Sequence, residues 1–323
     1  MKVSVGPLDI LRSGAVVRDG SDRAVGRLAD VARVALRHRA NADGAWYVDT
    51  RCIDCGTCRE IDPATFEVVG GQTVVAHQPP DGAEGEIGAW LAAQACPTSS
   101  IGTLDHRPRP GRLYPREVAP GLGVHDLGYC SERSFGASAW LVTRPQGNVL
   151  VDSPRFTEAL AGPIAELGGV AHVALTHRDD VADADRWAER FGARVWIHND
   201  DRAAAPWATD LLHGGAGEPT ALAPGVVAHP VPGHTRGSVV LIVDEQVCLS
   251  GDSLAWSQER EDLTAFRGAC WYSWAEQTRS LRALADATSF EWLLPGHGAR
   301  CHLPADEMGR RLRALVERMA ATP

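Results

Sequence analysis

Four cysteines carry the clearest chemistry in the sequence: Cys52, Cys55 and Cys58 in a C-x2-C-x2-C array, and later Cys96, followed by Pro97. Three closely spaced thiolates on a tight loop suit one face of an iron–sulfur cube, and a distant fourth closes it. A structural zinc site normally uses two C-x2-C pairs, which this triplet with a remote cysteine fits poorly. A second constellation surrounds Val231–Ser253, reading VPGHTRG, SVVLIVD and EQVCLSGDS. Two β-branched runs, Val239–Val243 and Val247–Leu249, predict strands closing a hairpin around Asp244–Gln246. His234 precedes the first strand and Asp252 follows the second, so antiparallel pairing sets an imidazole beside a carboxylate at one sheet edge.

Two resemblances follow from these residues. The cysteine array resembles a bacterial-type ferredoxin. In two-cluster ferredoxins the run continues x3-C-P and that cysteine ligates the other cluster; here the pair is Asp62-Pro63, which implies one [4Fe-4S] cluster on Cys52, Cys55, Cys58 and Cys96. PGHTRGS followed by SGDS resembles the metal-binding hairpin of the metallo-β-lactamase superfamily. LTHRDD at Leu175–Asp180 and LPGHG at Leu294–Gly298 match further elements of that family in its order, over roughly residues 111–323. The resemblance implies an α/β fold, an αββα sandwich with its metal site at one edge, preceded here by a small α+β ferredoxin-like domain. It implies metal ligands at His177, His234 and Asp252, with His297 as a fourth.

The loop after His177 departs from that family. Most members carry His-x-His-x-Asp-His, two ligands for each of two metals; this chain has His177-Arg178-Asp179-Asp180-Val181-Ala182. Two imidazoles and a carboxylate form the facial triad of non-haem Fe(II) sites, and the persulfide dioxygenase branch, which binds one iron at the positions of His177, His234 and Asp252, resembles this. A carboxylate replaces the second His in the flavodiiron branch, so Asp179 could complete a second site, and Asp183 could serve after a two-residue shift. Asp179 and Asp183 remain open between ligand, general base, support behind the ligands and helix cap. Asp180 is expected to cap a helix starting near Val181.

Composition narrows the function class. A formal charge of −9, with no Lys/Arg cluster, argues against nucleic acid or an anionic membrane as main partner. No apolar run approaches the ~18–20 residues that span a bilayer, and the N-terminus lacks a signal-peptide pattern. A cytoplasmic location is expected, where cysteines serve as ligands or buried thiols rather than disulfides. Cys130, Cys248, Cys270 and Cys301 show no ligand spacing and are expected to be buried thiols. His172, His198, His213, His229 and His302 read as structural, and Trp256, Phe266, Trp271, Tyr272 and Trp274 as core residues or pocket lining.

The elements that must position these groups divide the chain into a helical extension (1–43, with an amphipathic helix over Ser21–Arg39), a ferredoxin-like domain (44–108) and the larger domain (109–323). FEVVGGQTVVAHQ predicts a small hairpin turning at Gly70-Gly71, and Glu84–Ala95 a helix delivering Cys96. Four prolines in residues 105–120 predict a semi-rigid linker. Beyond it, strands are expected near Gly123–Leu127, Ala137–Thr143, Asn148–Asp152, Val170–Thr176, Arg194–His198, Val226–Val231 and Trp292–Leu294. Helices are expected over Phe156–Leu167, Val181–Phe191, Ala275–Ala287 and from Ala305, and residues up to His213 as helical or irregular.

A one-electron carrier fused to a metal site raises the local concentration of reductant, which matters only if the metal or substrate changes oxidation state. The leading expectation is a redox metalloenzyme in which the cluster serves a non-haem metal site of one or two iron ions, acting on a small-molecule substrate and supplied by an electron-donor protein. The alternative is a zinc-dependent hydrolase of esters, thioesters or lactones resembling the glyoxalase II branch, with an unliganded Asp179 or Asp183 as general base. A third reading is a degenerate metal domain used for docking or sensing.

Overall fold

In the computed structural model the described residues are 32–321. Most of the helix expected over Ser21–Arg39 lies outside them. Its described end is a single 3-10 turn, Val34–Leu36. There Arg37 bridges to Asp49 and the Arg33 amide donates to the Asp49 carboxylate, which holds the chain extended against the first strand.

The N-terminal unit pairs Trp46–Val48 with Ile101–Thr103 and contains the expected hairpin, Phe66–Val69 with Gln72–Val75, turning at two glycines of positive φ. Cys52 and Cys55 lie on a loop, and Cys58 is in the short helix Thr57–Ile61. Cys96 forms the C-cap of helix Ile87–Ala95, which begins three residues later than expected.

The larger unit is two sheets face to face between layers of helix. The first has seven strands, in chain order Arg116–Ala119, Val124–Asp126, Trp140–Val142, Val149–Val151, His172–Ala174, Arg194–His198 and Asp210–Leu212, each beside the next. The second runs Thr220–Ala223, Val226–Pro230, Val239–Val243, Val247–Gly251, Trp292–Pro295 and Cys301–His302. The central hairpin has the expected antiparallel register, Leu241 opposite Leu249 and Val243 opposite Val247.

The central strands of both sheets are buried on both faces, which is why they read as continuous apolar runs. Val239, Leu241 and Val243 point into the core between the sheets, while Val240 and Ile242 face helices Trp274–Ala287 and Ala305–Ala320. In the first sheet Trp140, Val142, Val149 and Val151 face inward and Leu141 and Leu150 outward. The outward layer is shared. Leu141, Leu150 and Val173 belong to one continuous core with helix residues Leu160, Ile164 and Trp187 and with Trp46, Phe66 and Trp90 of the N-terminal unit. The ferredoxin-like unit therefore packs on the sandwich through a common hydrophobic core.

That joint corrects the linker expectation. Residues 116–119 are the edge strand of the first sheet. Tyr114, inside the expected linker, is buried, and its hydroxyl donates to the Leu91 carbonyl. Further ties are the Cys130 amide to the Ala95 carbonyl at 3.0 Å and Arg155 to the Pro97 carbonyl at 3.0 Å. Among the described residues no helix is long and apolar enough to cross a membrane.

Candidate metal centres

The four cysteines of the N-terminal unit line one cavity. Their sulfurs sit where hydrogen-bond donors reach them. Cys52 Sγ accepts from the Asp54 amide at 3.4 Å, Cys96 Sγ from the Ser100 amide at 3.3 Å, and Cys55 Sγ lies 3.3 Å from the Thr57 hydroxyl. Burial pushes the Cys58 thiol well up, and Cys55, Cys96 and Cys52 add to the effect because four thiolates here would repel one another. Thiolates so placed require a cationic group between them. A tetrahedral zinc ion with bonds of about 2.3 Å would hold its sulfurs roughly 3.8 Å apart. Among the described residues, no group of three or more donor atoms within 4.8 Å of one another includes a cysteine. The four sulfurs thus do not converge as a single tetrahedral ion requires, and three close cysteines with a remote fourth are the pattern that suits a multi-iron cube.

The second centre forms at the sheet edge. His177 ends the loop after strand His172–Ala174, His234 lies in the turn before Val239, and Asp252 follows strand Val247–Gly251. His177, His234 and Asp252 form one group of donor atoms within 4.8 Å; Asp180, Asp252 and His297 form another, with Asp252 common to both. His177 Nε2 and His234 Nε2 each stand 3.8 Å from Asp252 Oδ2.

The hydrogen bonds fix which ring nitrogens are free. Thr176 Oγ1 donates to the Asp152 carboxylate at 2.9 Å, so it accepts from His177 Nδ1, also at 2.9 Å. His234 Nδ1 donates to the Ala269 carbonyl at 2.6 Å. Both Nε2 atoms therefore present lone pairs, and both are buried with no hydrogen-bond partner, as is Asp180 Oδ2. Orphaned acceptors converging on one point are expensive unless a cation occupies it. The outer partners on Nδ1 are those that orient metal-bound imidazoles. His234 Nε2 lies 3.3 Å from Asp179 Oδ2. His234 beside it holds the Asp179 carboxyl below its usual range.

Burial holds the His177 imidazole down to about 4, with neighbouring His234 opposing its protonation, so its lone pair is available near neutral pH. Burial works against ionisation of Asp252, but His297, His177 and His234 together hold its carboxyl well below the usual range. Asp180 is pushed well up by burial and by the Asp252, Asp152 and Asp179 carboxylates, the behaviour expected of an acid in a site that lacks its counter-charge.

The geometry thus brings together His177, His234, Asp252 and His297, sets Asp179 at the mouth, and adds Asp180. Asp180 is not a helix cap. Residues 178–180 form a 3-10 turn, the helix begins only at Ala184, and the turned backbone aims Asp180 inward. Asp183, by contrast, is not brought to the cluster. Its Oδ1 accepts from Arg133 at 2.9 Å and its Oδ2 from the Phe156 amide at 2.8 Å, which leaves no oxygen for a base or ligand. Trp271 and Tyr272 are exposed rather than core, with both amides donating to the His234 carbonyl; Trp271 and Phe135 flank the centre, ring centres 6.2 Å from His234 and His297 respectively. Phe135 carried no sequence signal. Cys130 and Cys248 are buried as expected, whereas Cys270 and Cys301 are only half-buried.

The two centres are neighbours. One cavity is lined by Cys55, Thr57 and Glu60 on one side and by Ser138, His297 and Arg300 on the other. The segment from Ser131 to Gly136 touches both. Thr57 Oγ1 donates to the Gly136 carbonyl at 2.8 Å, and His297 Nε2 lies 3.4 Å from the Phe135 carbonyl. Gly136 has φ +89, and a Cβ there would lie 2.7 Å from Cys55 Sγ, so only glycine allows this approach.

Comparison with known proteins matches each of the two units to a family. Residues 48–103 match the family described as the 4Fe-4S single cluster domain of Ferredoxin I, and residues 128–318 match the metallo-beta-lactamase superfamily. A curated relative, the uncharacterized protein YmaE of Bacillus subtilis (strain 168), is 32% identical over 111 residues, covering 34% of this chain. The match spans 40% of that protein's length. Among solved structures, a metallo-beta-lactamase from Erythrobacter litoralis, with beta-mercaptoethanol in its active site, shares the fold at 19% identity and a TM-score of 0.50, covering 64% of this chain and 99% of that one. The mono-zinc form of the metallo-beta-lactamase FIM-1 from Pseudomonas aeruginosa gives 20% identity and 0.49, covering 64% and 96%. With the second of those family matches extending over more than half of its residues, this chain belongs to the metallo-beta-lactamase superfamily.

Proposed function

We propose that the chain is a redox metalloenzyme in which an iron–sulfur cube on Cys52, Cys55, Cys58 and Cys96 serves a non-haem iron centre on His177, His234 and Asp252. The observation that carries this reading is adjacency: Cys55 and His297 meet the same six-residue segment, Ser131–Gly136. A structural cluster would have no reason to lie against the metal pocket, whereas an electron carrier must. When bound, the two groups supply one-electron chemistry and a centre open to a small molecule.

The protein's own part is positioning. His177 and His234 present fixed lone pairs, Asp252 supplies charge to both donor groups, and Asp180 with His297 offers a place for a second ion. Asp179, 42% exposed on its side chain, stands where it can accept a proton from a bound molecule. Phe135, Trp271 and Tyr272 wall the mouth with apolar surface. The substrate is a small electron-accepting molecule, O₂ included, and an external redox protein supplies the electrons.

Anaerobic purification followed by metal analysis and stopped-flow reoxidation of the dithionite-reduced protein tests the reading. Iron beyond the cube's complement, with cube reoxidation accelerated at least tenfold by that extra iron, is expected. Zinc in its place, with ester or thioester cleavage and no acceleration, would replace it by the hydrolase reading. One feature favours that second reading: Asp179, at the mouth beside His234, is placed to act as base toward a metal-activated water. The docking or sensing reading has less support, because a centre without a metal would not retain three orphaned buried donor atoms.

A further inference from the structure

The Thr57 hydroxyl belongs to neither ligand set, yet it touches both neighbourhoods. Its oxygen lies 3.3 Å from Cys55 Sγ and 2.8 Å from the Gly136 carbonyl. One residue before Gly136, the Phe135 carbonyl lies 3.4 Å from His297 Nε2, and His297 Nδ1 is 2.9 Å from Asp252. A line of polar contacts, bridged between Gly136 and Phe135 by the backbone itself, therefore runs from a cube ligand to the residue shared by both metal groups.

We propose that Thr57 is a positioning residue that couples the two centres, so that occupancy of the His–Asp site is felt at the Cys55 sulfur and the reverse. The reason lies in proton count. A hydroxyl has one hydrogen to donate. A free Cys55 thiol can donate to Thr57 Oγ1 while that hydroxyl donates to Gly136, and both contacts are satisfied. A ligated Cys55 is a thiolate and only accepts, so sulfur and carbonyl compete for the single hydrogen. More negative charge on the sulfur draws the hydroxyl from Gly136 and frees the Phe135–Gly136 segment that His297 leans on. A cation that pulls His297 toward Asp252 lets that segment shift and alters how strongly Thr57 serves the sulfur. Hydrogen bonds to cluster sulfurs are among the levers that set a cube's potential, and such coupling is reciprocal by linkage.

The inference rests on the reading that both centres are loaded, and it does not require electrons to pass between them. The test uses the full chain with its cube intact and Zn(II) as a redox-silent probe, and reads the cube's midpoint potential by EPR-monitored titration. In the unaltered protein Zn(II) should raise the midpoint. In Thr57→Val the midpoint without zinc should be lower, because a donor to the sulfur is lost, and the zinc-induced rise should fall to less than half. Thr57→Ser should restore both. If Thr57→Val fails to hold the cube, Gly136→Ala, whose methyl would force the segment off Cys55, should reduce the rise in the same way. A rise of unchanged size in the variants would mean the zinc field acts directly through space, and would overturn the proposal. So would an unaltered protein whose midpoint ignores zinc. Because zinc keeps its oxidation state, these outcomes are independent of whether stopped-flow mixing reveals electron transfer to iron.

Discussion

The contrast between Asp180 and Asp183, three residues apart, shows how much of a site depends on one turn of backbone. Asp180 Oδ2 is buried without a partner and faces Asp252 and His297, whereas both oxygens of Asp183 are committed to Arg133 and Phe156. Asp180→Asn should therefore lower the metal affinity or stoichiometry of the His–Asp centre at least tenfold at little cost in melting temperature. Asp183→Asn should leave metal content unchanged and cost about 1–3 kcal/mol of stability, the penalty for disturbing a buried hydrogen-bonded acceptor. Equilibrium dialysis and thermal denaturation of the two variants check this directly. Thr176→Val removes the group that orients His177, and an affinity loss of roughly 10- to 100-fold is expected on dialysis. The convergence of His177, His234, Asp252 and His297 was legible because the family resemblance named all four, and each lies in a loop or turn beside a strand end, where one sheet edge collects them. Asp180 was not legible, because an acid before a helical pattern reads as a cap, and nothing in the sequence announces that a 3-10 turn intervenes.

At the level of elements, the hairpin Val239–Val243 with Val247–Gly251 could be drawn from sequence almost to the residue, since two-sided burial gives long apolar runs. Its last residue is the critical one. Gly251 has φ +48, and a Cβ would come within 2.4 Å of the Thr176 hydroxyl. Gly251→Ala is expected to cost about 1–3 kcal/mol through backbone strain and to weaken metal binding as well, because the displaced hydroxyl is the one holding His177. A Tm drop with unaltered metal affinity would show that His177 is oriented by something else. The elements that escaped sequence reading are short or polar. The edge strand Arg116–Ala119 sits in a proline-rich stretch that resembles a spacer, and Asp210–Leu212 and Thr220–Ala223 are strands of three and four residues with too little pattern to register. Their pairing is imposed by neighbours already in place, which is tertiary information.

For the molecule as a whole, the decisive feature is the core shared by the N-terminal unit and the outer face of the first sheet. Units joined by a flexible spacer would unfold separately; units sharing a core should unfold together. Visible absorbance of the cube and far-UV circular dichroism should report coincident thermal transitions, and a cube lost well before the sandwich melts would contradict this. The order of the two family-matched units was apparent from the cysteine spacing and from the resemblance carried by the histidine motifs. Their adjacency was not, because Gly136 and Phe135 are ordinary loop residues until the fold sets them against Cys55 and His297.

The same joint limits how such a protein can be recombined. With Tyr114 buried against Leu91, and Leu141 and Leu150 in the same hydrophobic core as Trp46 and Trp90, the cysteine-bearing part is not a cassette. A graft made by cutting between residues 105 and 112 would carry the cube but leave an oily scar on both fragments, so its transplantation to another sandwich would demand that the receiving sheet be re-tailored along its outer side.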